Sequence, residues 1–401
     1  MFFLFIFAHQ IKFTLFQSIA SSQTEGNEFV VVFQENFSDK PQYLPLELYV
    51  AAIHENEPTT VILSTPRFPR YEPRVFRLAP GEVRLFTLPS NFRIRGTGID
   101  KKAVLIRADK PVSVFGYNKE TYTNDAFLAF PISSLGTEYR AVVWGSGVNF
   151  NQIAVVAAEA DAQVKFTLPN RMYDELPLMV TWEYETYANG ESFTVDLKQY
   201  ETMQIQSPAR HDLSGTLISS NKKIAVFSGN VRTNIEPGLV SRDHVVDEIP
   251  PVNSWGREFI TVPFPGRTVG DYFKIVSSLD STVVRVRGIE PEVFTIERAG
   301  QWILLRIPSY TCSYITADKP ILVAQFSLSQ QMVSEKDGKG DPCMTIVPAM
   351  NASLLIFLLS VHFLVDCFLA IQTSICIFNN FIRWFDSFRE LHRHHFDCLA
   401  N

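Results

Sequence analysis

Cysteine is scarce. The 401 residues include five, and only Cys312 and Cys343 lie within residues 26–349, which excludes a small domain stapled by several disulfides. In an oxidising compartment those two are expected to pair. Charge is sparse as well: charged residues are 19 % of the chain and the net charge is −6, so the basic footprint of a nucleic-acid binder is missing. Amphipathic helical spacing is hard to find between residues 26 and 349, and this excludes a helical bundle. Signatures of catalysis are missing too, with no G-x-S-x-G elbow, Walker loop, H-E-x-x-H or C-x-x-C. No cofactor and no metal is implied. What remains, 46 % hydrophobic and 13 % aromatic, is the composition of a folded chain, long enough for several cores.

Two landmarks recur three times in the same order. Gly26-Asn-Glu-Phe29, Gly136-Thr-Glu-Tyr139 and Gly256-Arg-Glu-Phe259 each lead into an apolar, β-branched run, with glycines 110 and 120 residues apart. Ile106-Arg-Ala-Asp109-Lys110-Pro111 returns as Ile218-Ser-Ser-Asn221-Lys222-Lys223 and as Ile315-Thr-Ala-Asp318-Lys319-Pro320. Such self-similarity indicates internal duplication. Between the landmarks lie short β-rich runs bounded by turn residues, such as Leu48-Tyr-Val-Ala51 and Thr60-Val-Ile-Leu63. The third repeat lacks an insertion like Asn170 to Gly190, which reads as a surface loop. Phe130-Pro131 and Pro250-Pro251 stand five residues before the next glycine. The expected fold is all-β: tandem repeats 26–135, 136–255 and 256–349, built as sandwich-like units or as a pseudo-symmetric closed assembly.

These landmarks carry a resemblance. GNEFVVVFQENF, ISSNKKIAVFSGN, DHVVDEIPPVNSWGREFITVPFPGR, and ITADKPILVAQFS with GDPCMTIVP resemble the IgGFc-binding domain family over about residues 26–349. The resemblance implies an extracellular, non-enzymatic binding and adhesion module that recognises glycoproteins or mucus components. The competing reading is a glycan-processing enzyme with carboxylates in a cleft between repeats, which needs two acids about 5–10 Å apart.

Candidate site residues are few. Between Arg67 and Lys110 eleven basic residues face four acidic ones, a local excess of +7. Phe92-Arg93-Ile94-Arg95 alternates as an exposed edge strand does. The segment is therefore either a solvated strand face or a patch for an anionic, mucin-like protein or glycan partner. Its ligand-binding candidates are Arg67, Arg70, Arg74, Arg93, Arg95, Lys101 and Lys102, arginine offering bidentate contact to acidic groups. Asp243-His244 and His211-Asp212 each could begin a triad, but adjacency says nothing of geometry; turn or core roles suit them better. Asp337-Gly-Lys-Gly-Asp341 lacks the alternating oxygens of a calcium loop. Asp341-Pro342 reads as a turn, and the spacing of His392, His394, His395 and Cys398 fits no tetrahedral site. Asn36-Phe-Ser38 is the better placed glycosylation sequon, since Asn351-Ala-Ser353 abuts an apolar run.

The two ends read differently from the middle. Residues 1–22 have the apolar runs and small residues of a secretory signal peptide. Residues 354–382 are apolar with one charge, Asp366, long enough for a transmembrane helix. The short basic tail 383–401 would then stay cytoplasmic, leaving the repeats outside a single-pass protein; without the anchor the chain would be secreted. The same segment stands where a fourth glycine strand is due near Ser353, so a tail foreign to the repeat array is the alternative.

Overall fold

The computed structural model describes residues 24–38, 43–54, 56–68, 71–145, 149–170, 178–209, 211–236, 241–264, 269–329 and 341–350. Three antiparallel sheets follow one another along the chain with the same wiring. The first uses seven strands: Gly26–Val31, Leu46–Ala52, Thr59–Ser64, Arg74–Leu78, Val83–Leu88, the long Val104–Lys119, and the closing Asn124–Leu128. In the second the corresponding strands are Gly136–Arg140, Asn151–Ala157, Ala162–Thr167, Ser192–Leu197, Thr202–Ser207, Leu217–Thr233 and Asp243–Glu248. In the third they are Gly256–Thr261, Asp271–Ser277, Thr282–Arg287, Val293–Ile296, Trp302–Ile307, Ser313–Phe326 and Met344–Ile346. Each sheet has the order fourth, third, long, second, fifth, and the first and closing strands also pair with the long one.

The long strand changes partners half-way. Its first half lies between the first and third strands (Ile106 opposite Phe29 and Leu63), its second half between the second and closing strands (Phe115 opposite Tyr49 and Leu128). The second sequence landmark is that change-over. There an amide of the third strand has run past its ladder and takes a side-chain acceptor instead. Asp109 Oδ1 accepts the Thr60 N–H at 2.8 Å, Asn221 Oδ1 that of Gln163 at 2.9 Å, and Asp318 Oδ1 that of Val283 at 2.8 Å.

The glycine landmark has a steric cause. A Cβ on Gly26 would lie 2.4 Å from Pro131 Cβ, and one on Gly136 2.5 Å from Pro251 Cβ. Glycine and junction proline are thus two halves of one contact, which fastens the start of each of these repeats to its end. Short 3-10 turns, Ile132–Ser134 and Val252–Ser254, carry the chain into the next repeat. Tyr139, fully buried, accepts the Gly136 N–H at 2.8 Å and donates to Ile224 O at 2.6 Å.

The sheets curl, and they share cores. Phe76 and Phe86, on the two outermost strands of the first sheet, stack with centroids 3.9 Å apart, so that sheet bends into a half-barrel. Along Asn151–Ala157 every residue is buried. Ile153, Val155 and Ala157 fill the second core, while Ala154 and Val156, pointing the other way, enter the first. Likewise Ile275 fills the third core and Val276 enters the second, with Trp302 and Phe326. The expected all-β repeats are present, as a stack of curled sheets. The short strand Gly98–Asp100 pairs with Thr202–Ser207 and ties the first repeat to the second sheet.

Two expectations are corrected or left aside. Of the insertion 170–190, the described part forms a hairpin, Met179–Trp182 with Glu185–Ala188, that buries Leu178 and Val180 in the second core rather than lying loose on the surface. The expected signal peptide 1–22, the membrane helix 354–382, the basic tail 383–401 and the sequon at Asn351 lie outside the described residues. Among the described residues no helix is long and apolar enough to cross a membrane.

Gly136→Ala is expected to lower stability by about 1–3 kcal/mol, the usual cost of overpacking, in a denaturant titration of the full chain. Gly98→Ala is the control, because nothing lies within 4 Å of the added carbon; it should leave the midpoint nearly unchanged.

Candidate functional site

The basic segment divides into inward and outward groups. Ser90–Phe92 is a 3-10 turn and not a strand, so the alternation expected of Phe92 to Arg95 is broken and Arg93 turns inward. It is 1 % exposed and forms an ion pair with Glu120 at 2.6 Å. Its other N–H groups donate to Asn118 Oδ1 at 2.7 Å, Leu44 O at 3.2 Å and Lys119 O at 2.6 Å. Burial pulls this guanidinium down to about 10 although Glu120 opposes the shift. Arg93 therefore cannot meet a surface ligand, and its assignment as one is corrected.

Lys102 is held by Asp100 at 2.6 Å and donates to Arg93 O at 3.0 Å. Arg67 donates from Nε to Gln199 O at 2.8 Å across the seam with the second repeat. Arg70 lies outside the described residues. Arg74, Arg95 and Lys101 are exposed. Two of them lie over aromatic rings: Arg74 is 4.8 Å from the Tyr71 centroid and Arg95 is 4.2 Å from that of Tyr43. Those tyrosines were not singled out from the sequence; the only signal was their nearness to the basic run.

Both candidate dyads hold the repeats together. Asp243 Oδ1 accepts the backbone N–H groups of Asn124 and His244 and does not touch the imidazole. His244 bonds through Nδ1 to Asn230 O at 2.8 Å and through Nε2 to Asn118 Nδ2 at 3.1 Å. These partners fix the neutral tautomer with its proton on Nδ1, and burial pushes the imidazole down to about 4. In the other pair Asp212 Oδ2 accepts from Lys274 Nζ at 2.8 Å, and Oδ1 accepts the Ser214 N–H. Lys274 also donates to Val143 O at 2.6 Å and sits 4.1 Å from the Trp302 ring centroid. Sequence reasoning missed Lys274, although a lysine among Phe273, Ile275 and Val276 was a visible irregularity.

A third set of ionisable groups lies where the closing strands meet. Asp125 Oδ2 accepts the Val246 N–H at 2.9 Å, Asp247 Oδ2 that of Ile346 at 2.9 Å, and Glu248 Oε2 that of Phe130 at 3.0 Å. These carboxyls cross-link strands of different repeats where no ladder joins them. Burial pushes Asp247 up to about 7 and raises Asp125, Asp243 and Glu248 well above the usual carboxylate range.

Two further expectations are overturned. Cys312 is exposed, Cys343 is buried beside Ser327 with Sγ at 3.2 Å from its hydroxyl, and no disulfide joins the two. They sit at opposite ends of the strand Ser313–Phe326, since Cys312 precedes it and Met344 pairs with Phe326. Fourteen extended residues separate them by roughly 45 Å, far beyond bonding reach. Asn36 is 1 % exposed; its Nδ2 donates to Asn118 O and Thr123 O, each at 3.0 Å. A glycan on that nitrogen would take one of its two hydrogens, break one of these bonds and have no room at a buried site, so Asn36 is not an acceptor in this fold.

Residues 125–375 match the family described as IgGFc binding protein. The chain belongs to that family. Human IgGFc-binding protein is 27 % identical over 263 residues, which is 65 % of this chain and 5 % of that protein. The chain thus corresponds to a small part of the relative. The family match begins at the closing strand of the first repeat and runs past the expected boundary at residue 349. The first repeat joins the other two through its shared wiring and its landmarks.

The buried acids give stability a definite pH dependence. A carboxyl whose folded value is raised binds its proton more tightly folded than unfolded, so its contribution is full below the unfolded value of about 4 and is lost as pH rises. For Asp247 that loss spans pH about 4 to about 7; His244, shifted down, opposes it between about 6.5 and about 4. Asp247→Asn keeps an acceptor oxygen without the charge. It should flatten the fall in stability between pH 5 and 7 by up to about 1.4 kcal/mol per pH unit, read from denaturant midpoints across that range. An unchanged slope would locate the titration in another group.

Proposed function

We propose that this chain is an extracellular, non-enzymatic binding module whose first repeat presents Arg74, Arg95 and Lys101 to acidic groups of a protein or glycoprotein ligand. The observation that carries the reading is the division of labour among ionisable residues. Of the groups best suited to acid–base chemistry, Asp243, His244, Asp212 and Glu248 are buried and Asp247 is half-buried, and all are bonded to backbone or to Lys274. The exposed cations instead stand at the surface, Arg74 and Arg95 over tyrosine rings that restrict how each guanidinium can lie. A guanidinium so placed loses less freedom on meeting a sulfate or carboxylate, and its two N–H pairs match such groups. Family membership supports a binding role, and a relative named for binding IgG Fc makes immunoglobulin one ligand to try. The glycan-processing alternative would need two of these acids facing an open cleft.

The test is binding of the full chain to sulfated and sialylated glycans, mucins and immunoglobulin. Acidic ligands should bind at low ionic strength and weaken as salt rises, because exposed charges are screened over ~10 Å at 0.1 M. Reversing Arg74, Arg95 and Lys101 to glutamate together should weaken binding at least ~10-fold, about 1.4 kcal/mol. Salt-independent binding that the triple variant retains would place the ligand on another surface.

A further inference from the structure

One contact stacks the repeats, and it is used twice. In the second repeat Gln204, Ala154 and Phe227 form a row across three neighbouring strands, on the face turned away from that repeat's own core. All three are buried against the first repeat. The corresponding row of the third repeat is Leu304, Lys274 and Ala324, and it faces the second. The receiving element is each time the segment between the fifth strand and the long strand of the preceding repeat. In the first repeat this segment takes Gln204 Nε2 on Gly96 O at 2.9 Å and the Gln206 N–H on Thr97 Oγ1 at 3.0 Å. In the second it takes Lys274 on Asp212 and Ser214, and Gly215 packs directly on the backbone of Gly300.

Both halves of this contact occur once more, at the two ends of the stack. The row in the first repeat is Leu85, Tyr49 and Phe115, paired strand to strand as in the other two. Here Leu85 is 45 % exposed and the two aromatic residues are partly exposed. The receiving segment in the third repeat is 308–312, where Tyr310 is 89 % exposed and Cys312 is exposed. The second repeat's segment buries Leu213 completely in the core it shares with the third repeat.

We propose that the Leu85–Tyr49–Phe115 row of one copy docks on segment 308–312 of a second copy, repeating between molecules the contact that stacks repeats within one. The occupant follows from the equivalence: the row fits a receiving segment of this repeat type, and those of the first and second repeats are already filled. The third repeat's segment lies at the far end of the stack. Such a contact is heterologous, so it builds open chains or rings rather than closed two-fold dimers. Arrays of this kind would multiply weak ligand contacts by raising their effective concentration.

The experiment is sedimentation velocity of the full chain over roughly micromolar to 100 µM concentrations, with reductant present so that Cys312 cannot cross-link. It compares the wild type with Leu85→Arg, Tyr310→Arg and an equimolar mixture of the two. Thermal unfolding of each variant should match the wild type, since both side chains are exposed. The wild type should form concentration-dependent species beyond the dimer, and each variant alone should remain monomeric. The mixture should form one-to-one dimers and nothing larger, because Leu85→Arg keeps its receiving segment and Tyr310→Arg keeps its row. A wild type monomeric throughout, including one whose own terminal residues cover the row, overturns the proposal. So do variants that associate like the wild type, or a mixture that stays monomeric.

Discussion

Each long strand has to serve four neighbours with only two edges, and most of the architecture depends on how it does so. It takes the first and third strands along one half and the second and closing strands along the other. At the change-over a ladder stops, and an amide there loses its strand partner. Asp109, Asn221 and Asp318 supply the missing acceptor in the three repeats. A similar logic governs the backbone after the glycine landmark. Asn118 donates to Gln34 O, Asn230 to Trp144 O and Gln325 to Val262 O, each capturing a carbonyl that no strand reaches.

Burial of the second strand on both faces sets the next level of order. Because side chains alternate, one strand contributes to its own core and to that of the preceding repeat. Its outward positions must therefore fit a neighbour and not merely be apolar. Ala154 is small enough to admit the first core, whereas Lys274 reaches across to Asp212, Val143 and Ser214. A buried ion pair of this kind adds little net stability over an apolar replacement, yet losing one partner leaves a charge stranded at a cost of about 3–5 kcal/mol. The Arg93–Glu120 pair works under the same rule. Their contribution is to define which surfaces meet and in what register.

Much of this was legible in the sequence, and the limits have physical causes. The two landmarks, their order and the junction prolines mark backbone requirements that recur wherever the topology recurs, so one chain displays them three times. Side-chain destinations were less legible. Phe92 to Arg95 has the alternation of an edge strand, but a three-residue 3-10 turn shifts its phase and sends Arg93 into a charged core. The sequon at Asn36 carries no sign of the two carbonyls that hold its amide. Cys312 and Cys343 are the two cysteines of residues 26–349, which suggests a bridge in an oxidising compartment, yet the strand between them is extended and keeps them apart. The stitching acids follow no period, because they answer to strands of other repeats.

Position-by-position comparison of the repeats carries the argument one step further. Residues that stay alike among the three serve the common wiring: the glycine, the glutamate after it, the Asp or Asn of the change-over. Residues that differ at equivalent places report what each repeat faces. At the central outward position of the second strand the first repeat has Tyr49, the second Ala154 and the third Lys274. Ala154 and Lys274 are explained by the repeats they touch. Tyr49 has kept a large amphipathic ring at a position where its counterparts meet a neighbour, beside Leu85 and Phe115. Aromatic side chains are enriched where surfaces meet partners, since they cover wide areas with few rotatable bonds. The first repeat thus keeps apolar residues on a face that the second and third repeats do not cover, which is where the proposed contact between copies would use them.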